Sequence, residues 1–400
     1  MTQRERLILL STERGLMQPD GRVVAPQTLL DDATAISQAW DGTVSAILEP
    51  GEKKAEGEEA MVVPAELPFD LEVMPYDDPR LAARIASAAV VLGSPDDRQQ
   101  HIAALCRGFA TAFVVNIDMT LDMRRRRIAD GETSLLRRWH RGRGEARRER
   151  AVLQTVALAT GVHCNGMPSF EAYRALNPNT MLYFDCRTTA EMLPDEDRLG
   201  NRLAAMLKGE PLRIGFVGRL TAVDGADQLP QFAAELRRRA VPFSLSVCGS
   251  GGLEIAIRDE LSELDLCGRV TFKGDLDFSV RRREWMTDEL DVILFPYGHG
   301  EPTRAYLEAL ACGVPIVGYD NPAWRGLCAV SDGGFTVPVN DPGALARSVA
   351  RLHDDRDLLA RLSLAGWQFA AEHTFETTLR ERMQHLRACA GMEDSEPATV

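Results

Sequence analysis

Strand-sized apolar runs alternate with helix-period segments along the whole of this 400-residue chain. That alternation admits few folds, because a strand followed by a crossover helix builds a parallel sheet covered on both faces. In the first half the expected strands fall at 6–10, 43–48, 71–74, 89–93, 112–116 and 162–165. The second half repeats the pattern in LRIGFVG (212–218), FSLSVCGSGG (243–252), RVTFKG (269–274), DVILFPY (291–297), PIVGY (315–319) and FTVPV (335–339). Leu229, Phe232 and Leu236 recur at helical spacing after the first of these. A chain of this length exceeds one compact core. The reading is therefore an α/β chain of two Rossmann-like domains facing a central cleft. Its expected boundaries are an N-terminal domain over 1–192, a linker over 193–211, a C-terminal domain over 212–375, a helix over 376–390 packing back on the first domain, and a disordered tail over 391–400.

Composition narrows the class. Eight cysteines are scattered without a C-x-x-C pair or a zinc spacing, which reads as a reduced, cytoplasmic protein with no metal and no cofactor. No apolar run approaches the length of a membrane span. The net charge of −13 argues against nucleic acid as a partner, yet it is unevenly spread. Residues 123–150 carry eleven Arg against four acids, a local +7 that leaves −20 for the rest. Arg124, Arg125, Arg126, Arg127, Arg137, Arg138 and Trp139 form a mixture suited to an anionic membrane surface, with a solvated charged face as the plainer reading. Gly142 and Gly144 are expected to end any helix there early, and 51–60 reads as a charged, mobile loop.

The ends of the second-half strands carry the chemistry, since ligands of open α/β sheets bind there. Gly218 and Arg219 follow the first strand, Gly249 and Gly251 the second, and Lys273 the third. Glycine lets backbone approach a ligand, and the arginine fork suits phosphate oxygens. In GEPTRAYLEAL (300–310), Pro302 and Thr303 open a helix whose first amides form an anion site, with Arg304 beside them. Glu308 offers a carboxylate acceptor for ribose hydroxyls, and Glu301 stands where a transferred sugar would lie. In the first half, Asp118 follows a strand end, 11–15 reads as a loop facing the acceptor, and His163 reads as a packed core histidine.

These segments, above all VGRL and LEALACGVPIV, resemble the donor-binding domain of retaining GT-B glycosyltransferases, specifically glycosyltransferase family 4, over 211–386. GVHCNGMPSFEAY (161–173) is similar to the end of the acceptor domain in bacterial exopolysaccharide members. The resemblance implies a hexosyltransferase that moves a sugar from a nucleoside-diphosphate sugar to a polysaccharide or lipid-linked saccharide with retention and without metal. It implies a cytoplasmic protein, peripheral at the inner face of the plasma membrane. Arg219, Gly218, Gly249, Gly251, Lys273, Thr303, Arg304 and Glu308 would then bind the donor, with Glu301 and Asp118 catalytic. Two positions depart from the pattern. Asp224 stands where the family has lysine, and Glu301 and Glu308 are seven apart where the family has eight, which puts Gly300 in the first glutamate's place. Both departures fall in the donor site, so the competing reading is a non-catalytic GT-B binding or scaffold protein.

Overall fold

The computed structural model describes residues 5–51, 58–131, 135–208, 211–276 and 278–392. The first sheet holds β1 (Leu7–Met17), β2 (Val23–Pro26), β3 (Val44–Pro50), β4 (Glu59–Val62), β5 (Asp70–Val73), β6 (Val90–Gly93), β7 (Ala112–Ile117), β8 (Gly161–Asn165) and β9 (Thr180–Tyr183). Its helices are α1 (Gln27–Ala39), α2 (Pro79–Ser87), α3 (Ile102–Gly108), α4 (Leu121–Gly131), α5 (Leu135–Leu158) and α6 (Gly166–Tyr173). The parallel body runs β5-β3-β1-β6-β7-β8-β9, and β2 and β4 pair antiparallel beyond the end of β1.

The second sheet is parallel throughout, in the order β12-β11-β10-β13-β14-β15. Its strands are β10 (Leu212–Val217), β11 (Phe243–Cys248), β12 (Val270–Gly274), β13 (Val292–Phe295), β14 (Ile316–Tyr319) and β15 (Gly334–Val337). Around it lie α7 (Glu196–Met206), α8 (Leu229–Arg238), α9 (Glu254–Glu263), α10 (Arg283–Glu289), α11 (Arg304–Ala311), α12 (Pro322–Ser331), α13 (Pro342–Asp354) and α14 (Arg356–Glu372). The central strands read as unbroken apolar runs because both faces are covered: Val292, Ile293, Leu294 and Phe295 are all fully buried. The chain order reverses between β10 and β13, the place where an open sheet leaves a crevice.

The last helix, α15 (Phe375–Ala390), returns to the first sheet. Met383 and Leu386 are buried in the core that holds Leu9, Val90 and Val114. His163 is fully buried and bonds His385 of α15 at 3.0 Å, and His385 in turn bonds Asn179 at 3.0 Å.

Several expectations change. The segment 11–15 is strand, because β1 continues past Leu10 through a register shift, pairs Arg14 and Gly15 with β3, and then takes up β2 at Leu16 and Met17. The stretch 193–211 contains the three-turn helix α7, whose Leu199, Arg202 and Met206 are buried against the second domain. Of 51–60, residues 52–57 lie outside the described residues and 59–60 open β4; of the tail, 393–400 lie outside them. Gly142 and Gly144 do not end a helix, for α5 runs 24 residues through both. Each glycine costs an exposed helix about 1 kcal/mol, while burial of Val152 and Val156 anchors the far end of α5.

Arg124 is not a surface residue. It is 6% exposed, donates Nε to Glu145 at 2.7 Å and also binds Glu149, so it ties α4 to α5 and faces no membrane. Arg125, Arg126, Arg127, Arg137 and Trp139 are exposed, and the Arg138 side chain lies outside the described residues. Among the described residues no helix is long and apolar enough to cross a membrane. Gly144 is exposed with nothing within 4 Å of an added Cβ. Gly144→Ala is therefore expected to stabilise the fold by about 1 kcal/mol in urea denaturation.

Candidate active site

Two cavities lie at the strand ends of the sheets, and the ion pair of Arg304 with Asp185 joins their linings. The one on the second domain, about 400 Å³, is bounded by Gly218, Arg219 and Asp224 after β10, by Tyr297, His299 and Glu301 after β13, and by Thr303, Arg304 and Glu308 at the start of α11. The one on the first domain, about 250 Å³, holds Asp118, Asn116, Asp185 and Tyr183 together with Arg382 from α15.

Arg219 is 67% exposed in its side chain and leans on the buried Asp224. Asp224 accepts both the Arg219 backbone N at 3.0 Å and its Nε at 3.1 Å, and it stands 3.5 Å from His299 Nε2. Burial works to raise the Asp224 carboxyl, but bonds to His299 and Arg219 outweigh it and hold the group below the usual range. The departure from lysine thus has a structural consequence: the acid, while bordering the cavity, grips the arginine of VGRL.

Thr303 caps α11, accepting from Ala305 N at 3.3 Å, so the helix begins at Arg304. An acid cap at Glu301 is not formed; Glu301 faces Arg127 of α4 at 3.8 Å, across the cleft. Arg304 also reaches across, its Nε 2.6 Å from Asp185. Glu308 is 7% exposed and holds Arg282 at 2.9 Å. Burial pushes its carboxyl up against the pull of Arg282 and Arg304.

Gly249 and Gly251 have a packing reason. An added Cβ would stand 1.9 Å from Gly218 O at Gly249 and 2.5 Å from Leu220 O at Gly251. These turns are stitched together by Gly218 N to Cys248 O at 3.1 Å and Leu220 N to Ser250 O at 2.9 Å. Lys273 stays out of the cavity and pairs with Glu289 at 2.8 Å.

Asp118 does not share a cavity with Glu301. It opens to the first-domain cavity and is otherwise enclosed, bonded by Asn165 Nδ2 at 3.2 Å and by Asn116 and Tyr183 at 3.4 Å. That enclosure desolvates the carboxyl and raises it, against the hydrogen bond from Asn165. Sequence reasoning missed Asp185, Arg282 and His299. Asp185 follows β9, an unrecognised strand, and Arg282 lies in an arginine run with no distinguishing signal. His299 could have been found from its place, two residues beyond DVILFPY and ahead of the helix start.

Raised Glu308 gives a signed expectation. A carboxyl with a raised folded-state value contributes stability at low pH that is lost as pH rises through that value. Wild type should therefore lose stability relative to Glu308→Gln as pH climbs from the ordinary glutamate value of 4.5, and paired melts across that range check it.

Residues 211–355 match the family described as glycosyl transferases group 1. Over 188 residues the chain is 32% identical to a 2-deoxystreptamine glucosyltransferase of Streptomyces kanamyceticus, covering 46% of this chain and 47% of that protein. It is 30% identical over 158 residues to the putative colanic acid biosynthesis glycosyltransferase WcaL of Escherichia coli, 38% of each chain. The matched region thus spans less than half the length of these curated relatives. The whole chain superposes on the Anabaena protein HepE, a structure in complex with UDP, with TM-score 0.65 and 14% identity over 96% of this chain and 99% of that one. It also superposes on WaaG, a glycosyltransferase involved in lipopolysaccharide biosynthesis, with TM-score 0.58 and 13% identity, over 96% and 100%. The chain has the GT-B fold, and its second domain carries the sequence signature of glycosyl transferases group 1.

Proposed function

We propose that this protein is a glycosyltransferase that moves a hexose from a nucleoside-diphosphate sugar to a saccharide or lipid-linked saccharide, with retention of anomeric configuration. The observation that carries this reading is the single cavity lined by Arg219, the start of α11 and Glu308. A diphosphate fits between a guanidinium and the partial positive charge of a helix N-terminus. Glu308, held by Arg282, suits a ribose. The acceptor would enter from the first domain, where Asp118 and Asp185 accept hydrogen bonds and Arg382 donates them.

In such a reaction the bond between the anomeric carbon and the diphosphate breaks and the acceptor hydroxyl adds from the same face. The departing diphosphate takes up negative charge, which preorganised donors stabilise. Its oxygen can receive the acceptor's proton, so no base is obligatory. This reading requires no metal. Bacterial polysaccharide assembly is the setting suggested by similarity to the WcaL and amylovoran AmsK glycosyltransferases.

A panel of UDP, GDP, ADP, dTDP and CMP, each with and without magnesium, tests the reading by thermal shift. A ligand at a hundred times its dissociation constant adds about 2.7 kcal/mol. One nucleoside diphosphate should raise the melting temperature alike with and without magnesium, and Arg219→Ala should weaken it by about tenfold or more. No shift with any diphosphate would move the binding or scaffold reading to first place. Exposed Arg125, Arg126 and Trp139 support membrane docking of the first domain as part of the same reading. Reversing Arg125 and Arg126 to Glu should reduce sedimentation with phosphatidylglycerol vesicles, and unchanged sedimentation would remove that part.

A further inference from the structure

Arg304 stands at an awkward place for a cation. It is the first residue of α11, and the unpaired amides there give that end of the helix partial positive charge. A guanidinium so placed needs an anion, and the anion comes from the other domain: Arg304 Nε donates to Asp185 Oδ2 at 2.6 Å. Neither partner is deeply buried, with 41% and 36% of the two side chains exposed. An ion pair open to water is a weak one, so Arg304 is free to leave it for a stronger partner. Phe184, Pro302, Ala323 and Leu327 wall a small cavity beside the pair and offer no acceptor side chain. Asp185 is fixed through its backbone, whose N–H donates to Asn165 Oδ1 at 3.1 Å, while Asn165 Nδ2 donates to Asp118 at 3.2 Å. One amide thus holds two carboxylates on the first-domain cavity.

Arg304 lines the second-domain cavity as well, so one partner of the pair borders each cavity. A nucleoside diphosphate seated at the start of α11 would offer Arg304 oxygens that carry at least two negative charges in place of one carboxylate. Arginine bonds to phosphate are among the strong charge-assisted ones. Resting on the reading above, we propose that Arg304 exchanges Asp185 for the diphosphate, and that Asp185 acts on the donor cavity through it, as a positioning residue. Before binding, Asp185 keeps the guanidinium beside the helix start. After binding, its carboxylate is left open to the first-domain cavity next to Asp118, where saccharide hydroxyls can donate to it. Filling of one cavity is thereby signalled to the other through a single ion pair. Asp185 competes with the ligand for Arg304, so its removal tightens diphosphate binding. Loss of a merely structural residue would weaken it.

Calorimetry on the full chain tests this, with UDP, GDP and ADP each titrated into wild type, Asp185→Asn, Arg304→Gln and the double variant. The diphosphate that binds wild type should bind Asp185→Asn about three- to fivefold more tightly, the effect of removing one half-exposed ion pair. Arg304→Gln should weaken it by about tenfold, the effect of losing one charge-assisted bond. Once Arg304 is gone, adding Asp185→Asn should change nothing further, because the two residues act as one unit. Unchanged or weaker binding by Asp185→Asn, or the same tightening without Arg304, overturns the exchange and leaves the glycosyltransferase reading standing. Binding of none of the three diphosphates overturns both. A crystal structure of wild type with the binding diphosphate gives a readout independent of the variants' folding. Arg304 should bond a phosphate oxygen, with Asp185 released toward the first-domain cavity. An Arg304–Asp185 pair retained beside the bound diphosphate overturns the proposal.

Discussion

Helices α6 and α12 approach so closely that an added Cβ on Gly326 would stand 2.4 Å from Met167 Cβ. This contact between a helix of the first domain and a helix of the second brings the strand ends of both sheets to one cleft. Everything at the site follows from it. Arg304 can reach Asp185 and Glu301 can face Arg127 only because α11 begins within a side chain's length of the first domain. The return of α15 to the first sheet acts in the same direction. Met383 and Leu386 bury against that sheet, and Arg382 is carried into the first-domain cavity from the far end of the chain. The interface also has an apolar part: Phe184 and Cys186 of the first domain are buried in one cluster with Phe295, Tyr306 and Trp324 of the second.

The charged groups of the cleft are paired. Asp224, Glu308 and Asp185 each hold an arginine; the first two pairs lie in the second domain and the third bridges the two domains. Pairing of this kind orients guanidinium groups before a ligand arrives, at a cost in net positive potential. A transferase of the proposed kind would gain from donors that are already placed and need not reorganise as charge develops. Asp224, standing where the resembling family has lysine, is held instead by Arg219 and stands beside His299.

Much of the architecture was legible in the sequence because buried parallel strands have nowhere to hide polar residues. Runs such as VILF and PIVGY declare themselves, and the glycine turns mark the strand ends. The antiparallel additions β2 and β4 were missed because each is only four residues long, and β4 is a half-exposed edge strand of mixed composition. The long helix α5 was missed because glycine propensity was weighed without the tertiary contacts that override it. At the site, Arg219, Glu308 and the start of α11 could be found because each lies at a fixed offset from a strand or helix end. Arg124 misled, since an arginine run does not tell which member turns inward to meet Glu145 and Glu149. Gly249 and Gly251 were read as letting backbone approach a donor, and in the structure they also accommodate a backbone crossing.

The measurement that tests the central claim most directly is amide hydrogen exchange with and without the nucleoside diphosphate that binds best. Protection confined to residues 218–225 and 297–308, with α5 and the β2–β4 edge unchanged, is the expected result. Exchange that is unaltered in those two segments, or protection appearing only in the first domain, would contradict a donor site built from Arg219, Asp224, His299 and the start of α11.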